Sequence, residues 1–140
     1  MFRRIHIAFV LVVLAAATLA LAKRPITFED LVRIQRISDP QVSPDGRSVA
    51  FVRGTVDLEA NKTIRHIWLI PTEGGEPRQL TRGEGSDTRP RWSPDGKSIA
   101  FISTRGGKSQ VWIVPVDGGE ARQVTSISTE ADGVIWARKA

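Results

Sequence analysis

A serine nucleophile needs a histidine within hydrogen-bond reach and a third group to orient that histidine. Two serines follow a glycine at the spacing of a nucleophile elbow, in Gly46-Arg47-Ser48-Val49-Ala50 and Gly96-Lys97-Ser98-Ile99-Ala100. Both strings end on alanine where the elbow requires its second glycine. Beyond residue 22 the only histidine is His66, and a lone histidine at a strand entrance is more often structural than catalytic. Asp57, Glu59 and Asn61 alternate like oxygen ligands for calcium. The loop lacks the glycine and the closing glutamate that complete such a site, so it reads as a solvated loop. Gly83-Glu84-Gly85-Ser86 has neither the third glycine nor the lysine of a phosphate loop. No catalytic, metal-ligating or cofactor-binding residue is assigned.

What these residues share is their setting inside a repeat. Gln41 to Phe51 reads QVSPDGRSVAF, and Arg91 to Phe101 reads RWSPDGKSIAF, 50 positions later. A second phrase, Ile67 to Thr81 (IWLIPTEGGEPRQLT), returns as Val111 to Thr125 (VWIVPVDGGEARQVT) at an offset of 44. The difference is a six-residue insertion in the first copy, between Phe51 and Trp68. Self-similarity at this period marks a repeat architecture built from one copied supersecondary unit.

The content of a copy identifies the unit. Pro94-Asp95-Gly96 suits a tight turn, proline presetting its second position and glycine supplying the positive φ. SIAFIS (98–103), QVWIVPV (110–116) and ARQVT (121–125) follow, separated by Arg105-Gly106-Gly107 and Asp117-Gly118-Gly119. With the segment ahead of the first turn, this makes four short strands joined by three turns. The middle strands are apolar on both alternating faces, so both faces must be covered. Small four-stranded antiparallel sheets covered on both sides are the blades of a β-propeller. The expected fold is all-β, with strands near 41–43, 48–53, 65–70 and 77–80, then near 89–92, 98–103, 110–115 and 121–124. Trp136 stands 44 positions after Trp92, where a third copy should begin, but WARKA replaces WSPDG. The chain is expected to stop one strand into an unfinished blade, leaving Ala100, Ile102, Trp112 and Val114, or their opposite faces, open to water.

The N-terminus is of another kind. Arg3 and Arg4 precede an uncharged run from Ile7 to Leu21 that closes on Ala20-Leu21-Ala22. This is the pattern of a secretory signal peptide cleaved after Ala22, and the run is shorter than the roughly 20 apolar residues of a spanning helix. The mature chain is then expected in the periplasm or outside the cell, with membrane contact only through an uncleaved leader. Ahead of the repeats, Thr27 with Asp30 forms an aspartate version of a capping box, and Leu31, Ile34 and Ile37 fall on one helical face, so a short helix is expected there to cover an edge of the propeller. The organisation reads as signal peptide 1–22, lead-in with a short helix 23–38 and partial propeller 39–140. Its blades lie at about 39–82 and 88–126, and a third begins near 134.

Composition narrows the partners. The chain has 140 residues, 41% hydrophobic and 25% charged, with a formal net charge of +5, values of an ordinary globular protein. Loss of the leader removes two arginines, leaving 18 basic against 15 acidic residues. These are mixed along the chain rather than gathered on one face with stacking aromatics, so nucleic acid is not an expected partner. The absence of cysteine removes a lipoprotein anchor, a disulfide framework and thiolate metal sites together.

The run WSPDGKSIAF, followed by a tryptophan-bearing strand and then GGEARQVT, resembles the propeller repeat of the translocation protein TolB and of the prolyl oligopeptidase family of serine peptidases, including acylaminoacyl and dipeptidyl peptidases. ITFEDLVRIQRISDP (26–40) and the VDLEANK insertion (56–62) are similar to the peptidase branch. The resemblance implies a propeller that caps an active site and admits short peptides, with a C-terminal α/β-hydrolase domain as its partner. That domain would carry the serine, histidine and aspartate, none of which matches a position here. The other reading is a TolB-like periplasmic propeller that binds protein and has no enzymatic activity.

Overall fold

The computed structural model describes residues 24–137; the expected leader helix lies outside them. A short helix α1 (Phe28–Arg33) opens the described chain. Thr27 and Asp30 cap it reciprocally: the Thr27 N–H donates to Asp30 Oδ2 at 3.0 Å, and the Asp30 N–H to Thr27 Oγ1 at 3.3 Å. Arg24 Nη2 donates to the same carboxylate at 2.7 Å. The Arg24 guanidinium, then the Thr27 N–H, bring the Asp30 carboxyl down to about 2. No residue of α1 is buried, and Leu31, Ile34 and Ile37 are all exposed. Capping, rather than a buried apolar stripe, holds this helix. Among the described residues no helix is long and apolar enough to cross a membrane.

Eight strands follow: β1 (Arg36–Val42), β2 (Ser48–Asp57), β3 (Lys62–Pro71), β4 (Arg78–Gln79), β5 (Asp87–Trp92), β6 (Ser98–Ser103), β7 (Gln110–Pro115) and β8 (Arg122–Gln123). They form two four-stranded antiparallel sheets, β1-β2-β3-β4 and β5-β6-β7-β8. Each sheet begins with the same closed turn. Ser43 Oγ donates to Asp45 and accepts the Ser48 N–H at 2.9 Å, while Asp45 accepts the Arg47 N–H at 3.1 Å. Ser93, Asp95, Lys97 and Ser98 repeat every contact, and Gly46 and Gly96 take φ of 73° and 70°. Thus the polar side chains of each turn are satisfied within the turn itself. Its main chain is also tied to the end of the sheet's third strand, Thr72 donating to the Gly46 and Arg47 carbonyls and the Val116 N–H to that of Lys97.

Two local features go beyond the sequence expectation. β1 starts at Arg36 because the strand runs through a bulge, with the register shifting between Ser38 and Gln41 and Asp39 at φ 48°. Arg89 occupies the same place in β5 at φ 55°. The six-residue insertion is not a loose loop. It prolongs the β2–β3 hairpin by the pairs Gly54↔Arg65, Thr55↔Ile64, Val56↔Thr63 and Asp57↔Lys62, about 13 Å at 3.3 Å per residue.

The two sheets share one core. Ala50, Ile67 and Leu69 of the first pack with Ile99, Phe101 and Val114 of the second, joined by Leu80. Burying each of the larger side chains contributes about 1.5–3 kcal/mol. The expectation of an open face on the second sheet is not met. Cross-strand register pairs Ile99 with Val114 and Phe101 with Trp112, so these four share the face turned to the first sheet. Ala100 and Ile102, on the other face, are 1% and 5% exposed. The central strand β6 is closed on both sides.

Residues 131–137 carry no assigned strand but repeat the opening of a sheet. Gly133, 44 positions after Arg89, has φ 72°, and Trp136 Nε1 donates to the Arg91 carbonyl at 3.0 Å.

Candidate functional site

A dense polar cluster lies where the two sheets meet. Asp87, first residue of β5, is 1% exposed. Arg105, just beyond β6, donates from Nη2 to both of its carboxylate oxygens at 2.9 Å. From the first sheet, His66 Nδ1 lies 3.2 Å from Asp87 Oδ2. Arg105 Nε donates to Ser103 Oγ at 2.9 Å, and its guanidinium stacks 4.9 Å from the centre of the Trp112 ring. Burial pushes the Asp87 carboxyl up, but hydrogen bonds from His66, Ser103, Thr81 and Arg105 outweigh it and hold the group below the usual carboxylate range.

Serine, histidine and aspartate are therefore all present, in the wrong order for catalysis. A serine nucleophile needs the imidazole between its hydroxyl and the carboxylate. Here the carboxylate lies between, and Ser103 is fully buried with its hydroxyl engaged by Arg105. The cluster is a clamp joining sheet to sheet. A cleft of about 510 Å³ opens beside it, lined by residues including Arg78, Thr81, Arg82, Arg105 and Glu120. No serine, cysteine or histidine lines it, and its threonine hydroxyl accepts the Ile67 N–H at 2.9 Å.

The residues singled out in the sequence fall elsewhere. Ser48 pairs with Pro71, and His66 with Arg53, on the same ladder, so serine and histidine stand five steps apart, about 17 Å. Asp57 accepts the Ala60 N–H at 3.0 Å and closes the hairpin tip; with Glu59 and Asn61 it forms no metal cluster, and none occurs among the described residues. Gly85 of the Gly83–Ser86 string lies against the Arg105 backbone, which a Cβ would meet at 2.8 Å. Sequence reasoning missed Asp87, Ser103 and Arg105, because the repeat puts Ile37 and Ala131 at the Asp87 position and no pattern marks it. A weak signal existed at the His66 position, where the second copy has Gln110. Gln110 also reaches forward along the chain, donating from Nε2 to the Ile127 carbonyl at 3.0 Å and accepting the Thr125 hydroxyl at 2.7 Å.

A family model described as the TolB beta propeller domain matches residues 30–138. The chain belongs to the TolB β-propeller family. Its two sheets are thus propeller blades, and the clamp is a joint between successive blades. The chain is 42% identical over 85 residues to a protein of Bacillus subtilis (strain 168) named as an uncharacterized peptidase, YuxL, covering 61% of this chain and 13% of that one. It is 33% identical over 86 residues to dipeptidyl-peptidase 5 of Porphyromonas gingivalis, again 61% of this chain and 13% of the relative. Among solved structures, the acylaminoacyl peptidase of Pyrococcus horikoshii superposes with a TM-score of 0.62 at 27% identity, over 75% of this chain and 16% of that one. The propeller segment thus spans about an eighth of the curated relatives it matches.

Proposed function

We propose that this chain is the N-terminal propeller portion of an exported serine peptidase that acts on short peptides. The blades form part of a cap that gates the active site, and a C-terminal α/β-hydrolase domain carries the nucleophile. The observation behind this reading is a propeller match across residues 30–138 together with relatives named as peptidases, of which this chain spans 13%. The internal chemistry agrees. Ser103, His66 and Asp87 form a closed clamp, so the described blades position surfaces and leave bond cleavage to another domain. The leader pattern at 1–22 supports export.

The test is an active-site label. A fluorophosphonate probe should modify the protein as its gene expresses it at a single serine outside residues 24–137, with loss of peptide hydrolysis, and should leave residues 23–140 expressed alone unlabelled. A complete gene product that takes no label and hydrolyses no peptide would replace this reading with the TolB-like binding propeller.

A further inference from the structure

The joint between the blades provides an internal template for a surface on the other side of blade 1. On the face of blade 2 that blade 1 covers, Phe101 pairs with Trp112, and an arginine, Arg105, stacks over that tryptophan and holds a carboxylate. The corresponding face of blade 1 repeats the aromatic pair as Phe51 and Trp68. It again sets an arginine over the tryptophan, with the Arg53 guanidinium 4.3 Å from the Trp68 ring centre. The carboxylate is what differs. Asp87 is replaced in blade 1 by Ile37, which is 66% exposed. Among the described residues Arg53 Nε is buried with no hydrogen-bond partner, and Arg53 makes no ion pair. A buried donor on a cation is costly to leave unmade, and a guanidinium held over an indole keeps its fork of donors in a fixed place for capture of a carboxylate.

Resting on the reading of this chain as part of a larger propeller, we propose that Arg53 and Trp68 form a receptor for one carboxylate, borne by an acidic side chain of another blade stacked on this face of blade 1. The occupant follows from the template. Blade 2 receives a blade on its Phe–Trp face and supplies the carboxylate itself, whereas blade 1 presents the same face with the cation alone, so the incoming blade must bring the charge. Opposite charge at such a joint also discriminates against wrong pairings.

Two measurements test this. In arginine Nε–H spectra of residues 23–140, acetate should shift the Arg53 resonance saturably where sodium chloride at equal ionic strength does not, and the Arg105 resonance, already engaged, should stay in place. Loss of the signal in Arg53→Lys assigns it. A response identical in chloride would overturn the receptor. In the protein as its gene expresses it, folded Arg53→Lys treated with a zero-length carbodiimide should cross-link at position 53 to an aspartate or glutamate on a strand of another blade. A cross-link to a second copy or to the lead-in before β1, or none at all, would overturn the proposed bearer.

Discussion

The indole N–H of Trp92 donates to the main-chain carbonyl of Gln41 at 2.9 Å, across 51 positions of sequence. Trp136 does the same to Arg91 at 3.0 Å, and Arg91 occupies in the second copy the place of Gln41 in the first. The same bond thus seats the opening segment of the second copy on β1 and the segment around Trp136 on β5. In blade 1 the tryptophan position is Val42, which is 63% exposed.

Trp92→Phe keeps an aromatic ring and removes only this donor. Urea unfolding of residues 23–140 should show a loss of about 1 kcal/mol, the net worth of one hydrogen bond. An unchanged midpoint would mean that packing alone seats the strand.

Asp87 predicts the acid limb of stability. Its carboxyl is held below the usual range in the folded protein, so its contribution is fully present above the unfolded pKa of about 3.9 and is lost as pH falls through the lower folded value. The wild type should therefore lose stability steeply below about pH 4. Asp87→Asn should be less stable at pH 7 by about 3 kcal/mol, from the partner left unpaired, and its thermal midpoint should vary less with pH in the acid range.

Gly85→Ala combines two penalties, a φ of 93° and a Cβ 2.8 Å from the Arg105 backbone nitrogen. Neither can be relieved by a side-chain rotation, and a loss of about 2 kcal/mol or more is expected. Gly46→Ala, at φ 73° with nothing within 4 Å, should cost only the left-handed backbone term of about 1 kcal/mol. Equal losses at the two sites would contradict the contact.

Residues 23–140 expressed alone should hydrolyse no peptide or acylated amino-acid substrate above background. His66→Ala should lower the melting temperature without changing that baseline, because His66 serves the Asp87 clamp. Turnover that disappears in His66→Ala would assign catalysis to this chain.

The blades were legible because their signals are local and repeated. Pro-Asp-Gly marks a turn wherever it occurs, and alternating runs such as SIAFIS mark strands. The start of β1 was hidden by Asp39-Pro40, which reads as a break and folds as a bulge. The VDLEANK segment looked like a loop because its pairing partners, Gly54 to Asp57 and Lys62 to Arg65, are short on apolar residues. The clamp was invisible for a different reason. Asp87, Ser103 and Arg105 are the positions at which one copy departs from the other, and their meaning exists only after the sheets are stacked.

The Ser-Pro-Asp-Gly turns have a kinetic consequence. Each one satisfies its own hydroxyl, carboxylate and amide groups within six residues, from Ser43 to Ser48 and from Ser93 to Ser98. Its hairpin can therefore form on the time scale of about 1–10 μs without help from the other blade. The indole bonds and the His66–Asp87 contact close only over 21 to 51 positions, and long-range closure is slow. Changes in the turns should alter the rate of folding, whereas changes at the joint should act on the rate of unfolding.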